Sequence, residues 1–162
     1  MEAYFDNSAT TIVTDSVKDI VVKTMTEDFG NPSAMHMVGV KAEKYIKEAQ
    51  ENIAKILKVD PKEIFFTSGG TESNNMAIIG TAMANKRKGN KIITTSVEHS
   101  SVLATMKYLE EQGFEVIYLP VDRYGVVQME ALEKEMTEDT ILVSTMYVNN
   151  EVGAIEPVGE IG

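Results

Sequence analysis

The sequence predicts an α/β protein of three layers, in which helices cover both faces of a mainly parallel sheet. From residue 63 onward, strand-like apolar runs alternate with helical patterns. That alternation is typical of parallel sheets built from β–α–β units. The run from Thr140 to Met146 shows no polar alternation, which is the pattern of a strand buried on both faces.

Two amphipathic helices are predicted before residue 63. Apolar residues recur at helical spacing between Asp15 and Phe29, and a longer stripe runs from Val38 to Leu57. The segment GNPS at 30–33 separates the two helices, because glycine and proline interrupt helical structure.

Beyond residue 60 the predicted elements are a strand over 64–66, a helix reaching 88, a strand over 91–95, a helix over 101–112, a strand over 114–119, a short helix over 129–136 and the strand over 140–146. Ligands of such sheets bind beyond the carboxyl ends of the strands. Three polar segments fall at such ends, namely Thr67 to Thr71, Ser96 to Ser101 and Val148 to Gly153. We therefore expect their side chains to converge on one cleft.

Composition excludes several classes of function. The chain has 162 residues and a formal charge of −10, so it lacks the basic surface that a nucleic-acid partner or an anionic membrane requires. No cysteine is present and only two histidines occur, which excludes disulfides and argues against a metal site. No signal peptide or membrane-length apolar run is evident, and we expect a cytoplasmic protein.

The stretch FFTSGGTESNN, from Phe65 to Asn75, is the most informative segment. An apolar run enters two glycines and a helix follows at once, which is the arrangement of an anion site at a helix N-terminus. Gly70 and Thr71 lie at its centre. The alternative is an ordinary helix cap with no ligand. Because Glu72 would repel a phosphate, its side chain is expected to point away from the phosphate site.

Two further polar positions follow strands. His99, in the run EHSS, could stack on a flat ring or carry a proton, or it could be a solvent-facing residue beside a serine cap. Asn150 follows the run 140–146 and could donate to an anionic oxygen, or it could serve only a turn.

Together these segments closely resemble the cysteine desulfurases, a branch of the class V aminotransferases that depend on pyridoxal 5′-phosphate (PLP). The matching blocks, in the family's order and spacing, are FDNSATT (5–11), FGNPSAMH (29–36), FTSGGTESNN (66–75), VEHSSV (97–102) and VNNEVGAIEP (148–157).

The resemblance implies roles for matching residues. Gly70 and Thr71 would bind the PLP phosphate, His99 would stack on the pyridine ring and assist proton transfer, and Asn150 would contact the phenolic oxygen. It implies the large domain of fold type I over residues 15–162, incomplete, preceded by an arm over 1–14 that belongs to the family's small domain. It also implies a homodimer that acts on L-cysteine and passes sulfur to an acceptor or iron–sulfur scaffold protein.

The family's cofactor-binding lysine, its acidic partner for the pyridine nitrogen and its reactive cysteine lie downstream of the matching blocks. We therefore expect this chain to be the N-terminal part of a larger enzyme and to be inactive alone. Two alternatives stay open. One is a related PLP enzyme such as a selenocysteine lyase. The other is a non-catalytic remnant, or a split-enzyme subunit, that binds PLP or another phosphate.

Overall fold

The structure is a computed structural model that describes residues 3–162 and falls into two compact units, with the boundary between Phe66 and Thr67. The predicted arm over 1–14 begins with Met1 and Glu2, which lie outside the described residues. The domain division predicted at residue 14 rests on the resemblance and stays a prediction.

The first unit contains the two predicted helices, α1 (Asp15–Thr26) and α2 (Met37–Leu57). The side chain of His36 caps α2, because its Nδ1 accepts the backbone N–H of Gly39 at 3.3 Å. After α2, a single 3₁₀ turn covers Pro61–Glu63.

The strand predicted over 64–66 is absent from the structure. Those residues join no ladder in the described part of the chain, and the side chains of Phe65 and Phe66 are 73% and 54% exposed. A strand exists only when a neighbouring strand pairs with its backbone groups, so an apolar run alone does not make one.

The second unit is built on a three-stranded parallel sheet in the order β2-β1-β3. Its elements, in chain order, are α3 (Gly70–Asn85), β1 (Lys91–Thr95), α4 (Ser100–Glu111), β2 (Glu115–Leu119), α5 (Met129–Glu135), β3 (Thr140–Ser144) and α6 (Val158–Ile161). Each element predicted beyond residue 67 is thus present, with shifts of a few residues at the ends.

The sheet has a hydrophobic cluster on each face. Ile92 of β1 packs in a cluster with residues of α3 and α4, such as Ala82 and Met106. Ile93, the next residue of β1, packs in a second cluster with Leu132 of α5 and Val127. Since adjacent strand residues point to opposite faces, helices cover both faces and the predicted three-layer α/β architecture is confirmed.

The prediction that the strand near residue 140 is buried on both faces is confirmed only in part: Leu142 packs against one hydrophobic cluster and Val143 against the other, but the burial is incomplete. All five residues of β3 are only half-buried, whereas Ile92 to Thr95 of β1 are fully buried. β3 lies at the edge of the described sheet and β1 lies at its centre, and an edge strand has one unpaired side. Within residues 3–162, no helix has the length and apolar character that a membrane crossing requires.

Candidate functional site

The N-terminus of α3 presents a row of free backbone N–H groups. The first helical hydrogen bond runs from the N–H of Ser73 to the carbonyl oxygen of Gly69 at 3.1 Å. The N–H groups of residues 69–72 have no partner among the described residues, as expected for the first turn of a helix. These groups carry the positive end of the helix dipole and can bind an anion.

The two glycines of this loop are required by neither packing nor backbone conformation. A Cβ atom added at Gly69 or Gly70 would meet nothing within 4 Å. Gly69 has φ 166°, which is extended backbone open to any residue, and Gly70 is the first residue of a right-handed helix. Their lack of a side chain leaves open space over the free N–H groups, where a ligand can approach the backbone closely.

The side chain of Glu72 folds back onto the loop before α3, while its predicted orientation away from the phosphate stays a prediction. Its Oε2 accepts the backbone N–H of Ser68 at 2.7 Å and the hydroxyl of Ser68 at 2.6 Å. Both hydrogen bonds from Ser68 lower the pKa of the Glu72 carboxyl, and the bond from the Ser68 hydroxyl has the larger effect. The carboxylate turns back because donors and a helix N-terminus stabilise it there. Thr71, by contrast, has a hydroxyl with no partner in the described part of the chain.

His99 lies between the end of β1 and the start of α4, where its own side chain caps the helix. Nδ1 accepts the backbone N–H of Ser101 at 3.1 Å and lies 2.8 Å from the Ser101 hydroxyl. That hydroxyl accepts the side-chain amide of Asn74, one turn into α3, at 2.9 Å. The starts of α3 and α4 are therefore linked through Asn74, Ser101 and His99.

Glu98 joins the carboxyl ends of β1 and β3. It is 7% exposed, and its Oε1 accepts the hydroxyl of Thr95 at 3.0 Å and the backbone N–H of Met146 at 2.8 Å. Burial raises the pKa of its carboxyl, the two hydrogen bonds act in the opposite sense, and the charge of Glu156 raises it further. Glu156 is itself buried, and its Oε1 has no partner among the described residues.

The two neighbouring asparagines after β3 have different environments. Asn149 is buried; its amide donates to the carbonyl oxygen of Val97 at 3.1 Å, and its Oδ1 accepts the N–H groups of Glu151 and Val152. Asn150 is exposed, and among the described residues its side chain bonds only that of Glu151. Asn149 therefore holds the turn in place, and Asn150 is the amide that is accessible to a ligand.

The structure joins the second and third polar segments directly, through the bond from Asn149 to Val97, whereas the convergence of all three on one cleft stays a prediction. Asn74, which follows the first segment in α3, bonds Ser101 of the second segment, and Met146, which precedes the third segment, bonds Glu98. A cavity of about 270 Å³ beside His99 is lined in part by Asn74, Glu98 and Met146.

The predicted site residues are brought together only in part. No hydrogen bond between described residues joins Gly70 or Thr71 to His99 or Asn150. Sequence reasoning missed four residues that organise the site, namely Asn74, Glu98, Ser101 and Asn149. The available signal was a polar residue directly after an apolar strand, which Glu98 and Asn149 both provide. Residues 3–162 contain no group of three metal-binding side chains.

Comparison with known proteins places this geometry in a family. The family described as Aminotransferase class-V matches residues 3–162. The cysteine desulfurase IscS of Clostridium botulinum is 48% identical over 161 residues, covering 99% of this chain and 41% of the relative. The cysteine desulfurase IscS of Methanosarcina thermophila is 51% identical over 159 residues, covering 98% of this chain and 39% of the relative.

Solved structures agree with the sequence matches. A NifS-like protein superposes with a TM-score of 0.93 at 48% identity, covering 99% of this chain and 44% of that protein. SspA in complex with cysteine gives a TM-score of 0.89 at 39% identity, and the match covers 98% of this chain and 46% of SspA. The chain thus spans less than half the length of these relatives, and the fold-type-I architecture implied by the resemblance is confirmed. This chain belongs to the class V aminotransferase family.

Proposed function

We propose that this chain forms the N-terminal part of the PLP-binding domain of a cysteine desulfurase. The whole enzyme converts L-cysteine to L-alanine and passes the sulfur to an acceptor protein, such as an iron–sulfur cluster scaffold. We place it in the cytoplasm as a homodimer. The names of the relatives support the activity, and the structure of SspA with cysteine supports the substrate class.

The observation that carries the proposal is the start of α3. Four free N–H groups lie beside two glycines whose missing side chains serve neither packing nor backbone conformation. A phosphate monoester fits such a place, because it is doubly charged near neutral pH and accepts several N–H groups at once. Gly70 and Thr71 would hold the phosphate of PLP through their N–H groups, and the free hydroxyl of Thr71 would add a donor.

The other site residues have complementary tasks. His99 would lie against the pyridine ring and carry a proton at Nε2, and the exposed amide of Asn150 would donate to the phenolic oxygen. When bound, PLP supplies an electron sink for the amino-acid substrate. The buried bonds of Glu98 and Asn149 keep His99 and Asn150 at the same edge of the sheet.

Titration of the 162-residue chain with PLP and with pyridoxal tests the phosphate site. We expect PLP to bind roughly tenfold more tightly than pyridoxal, because a helix N-terminus stabilises an anion by about 1–2 kcal/mol. Equal affinity for the two compounds would refute the assignment of the phosphate to α3.

A second assay tests the division of labour along the enzyme. The chain has no cysteine that could take up the substrate sulfur, and sulfur transfer needs such a thiolate. We therefore expect no alanine from L-cysteine beyond that formed by PLP alone. Alanine above that background would show that the chain is catalytic by itself.

A further inference from the structure

The hydrogen bonds at Nδ1 of His99 define which ring nitrogen carries the proton. Nδ1 accepts the backbone N–H of Ser101 at 3.1 Å. A backbone N–H can only donate, so Nδ1 has to be without a proton in this arrangement. The proton of the neutral ring is then on Nε2, which has no partner among the described residues. This assignment follows from the hydrogen-bond network.

Asn74 orients the hydroxyl of Ser101 so that it too can donate to Nδ1 of His99. Its Nδ2 donates to Oγ of Ser101 at 2.9 Å, and that Oγ lies 2.8 Å from Nδ1 of His99. Since an amide NH₂ group only donates, the hydroxyl is free to direct its own proton at Nδ1. Ser101 is 7% exposed, so little water reaches this chain of hydrogen bonds to compete with it.

We propose that Asn74 and Ser101 are positioning residues that hold His99 as its Nε2–H tautomer, so that the ring offers a ligand a proton donor at Nε2. The tautomer itself is a property of this chain. Its use against a bound pyridine ring rests on the proposed function. The direction of donation from Asn74 through Ser101 is the feature that the proposal requires.

The other histidine supplies an internal reference. His36 also caps a helix through Nδ1, which accepts the N–H of Gly39 at 3.3 Å, but no side-chain hydroxyl bonds its ring in the described structure. With only two histidines in the sequence, the ring signals are assigned by comparing the chain with a His36→Gln variant.

The decisive experiment is ¹⁵N NMR of the histidine rings in the wild-type chain, Asn74→Asp and Asn75→Asp. An aspartate at position 74 can only accept, so the direction of donation is reversed. The Ser101 hydroxyl then donates to the carboxylate, and the lone pairs of the Ser101 oxygen face Nδ1 of His99. We expect the tautomer ratio of His99 to move roughly fivefold or more toward Nδ1–H, because the Ser101 hydroxyl no longer donates to Nδ1, although the backbone N–H of Ser101 still does. Asn75→Asp adds the same charge, but Asn75 bonds Thr71 and Thr105 instead, and we expect His99 to be unchanged.

A second pair of variants tests the same proposal if Asn74→Asp does not fold. Ser101→Ala removes one hydrogen bond to Nδ1 and should shift the ratio toward Nδ1–H by roughly fivefold. Ser100→Ala changes an exposed neighbour and should leave the ratio unaltered. The His36 signals should stay constant throughout. A wild-type His99 that carries its proton on Nδ1, or equal spectra for the two aspartate variants, would overturn the proposal.

PLP binding to the same variants separates this proposal from the proposed function. We expect Ser101→Ala to bind PLP more weakly than Ser100→Ala does. Failure of the wild-type chain to bind PLP would overturn the cofactor assignment. It would not affect the tautomer measurement, which is made without PLP. Equal PLP affinity in Ser101→Ala and Ser100→Ala would overturn the role of the tautomer toward the ring.

Discussion

Glu98 accepts the backbone N–H of Met146, 48 residues later in the chain, at 2.8 Å. This bond ties the end of β1, where His99 follows, to the end of β3, where Asn150 follows. Parallel pairing alone brings the two strand ends to the same edge of the sheet. The buried carboxylate adds a fixed contact between the two loops, and it does so at the cost of burying a charge.

The pH dependence of stability reports on that buried carboxyl. Its pKa in the folded chain is raised from the ordinary value of 4.5, mainly by burial. The folded state therefore holds the proton more tightly than the unfolded state does. The contribution of Glu98 to stability is complete below pH 4.5 and is lost as the pH rises through the raised folded value.

We predict that Glu98→Gln removes this decline, because an amide oxygen still accepts from Met146 and Thr95 but does not ionise. Denaturant unfolding across the range from about pH 4 to about pH 8 measures the effect. Glu133→Gln, at an exposed position on α5, should keep the wild-type slope. A parallel decline in wild type and Glu98→Gln would mean that Glu98 is not the titrating group. Glu98→Ala should destabilise the chain by about 1–3 kcal/mol at low pH, because Met146 loses its acceptor. The difference from wild type should shrink as the pH rises, because the wild-type chain then carries the buried charge.

Gly70→Ala should separate ligand binding from folding. A Cβ atom at this position meets no protein atom within 4 Å, and alanine favours a helix over glycine by about 1 kcal/mol. We therefore expect stability to be retained or increased. PLP affinity should nevertheless fall by roughly tenfold or more, because the methyl group occupies the space where the phosphate approaches the backbone.

Gly80→Ala is the matched control, since Gly80 lies in the same helix and its added Cβ also meets nothing. It should raise stability similarly and leave PLP affinity unchanged. Equal PLP affinities for the two variants, measured by the titration described above, would rule out the start of α3 as the phosphate site.

Glu72→Gln should strengthen phosphate binding. The side-chain oxygen of glutamine can still accept the N–H and hydroxyl of Ser68, so the loop keeps its shape while a negative charge is lost. We expect PLP affinity to rise by about threefold, because an exposed charge interaction is worth about 1 kcal/mol or less. The gain should shrink in high salt, which screens exposed charges. A loss of affinity would instead show that the Glu72 charge is needed to hold the loop.

The spacing of apolar residues predicted the helices and strands of the second unit, but it did not predict the hydrogen bonds between them. The spacing of apolar residues was sufficient for β1 and α4, because each pattern is set by a short window of sequence. The strand over 64–66 failed because pairing depends on a distant segment. The bond from Asn74 to Ser101 joins residues 27 positions apart, and such contacts leave no periodic trace. The resemblance supplied the site residues His99 and Asn150, whereas their supporting residues emerged only from the structure.

The adjacent residues Asn149 and Asn150 allow a direct test of support against binding. Asn149→Ala removes one bond to Val97 and two from the turn. We expect it to lower the free energy of unfolding by about 2–3 kcal/mol, because buried backbone groups lose their partners. Asn150→Ala changes an exposed side chain and should alter stability by no more than about 0.5 kcal/mol.

Ligand binding should show the opposite contrast. Asn150→Ala should weaken PLP binding by roughly fivefold, the effect of one lost hydrogen bond of about 1 kcal/mol, although the chain stays fully folded. Asn149→Ala should weaken it only in proportion to the unfolded fraction, so stabilising the chain by cooling should restore binding to Asn149→Ala and not to Asn150→Ala. Denaturant unfolding and PLP titration of both variants decide the matter. If Asn150→Ala binds PLP like wild type, the exposed amide does not contact the cofactor, and the turn after β3 serves only to complete the fold.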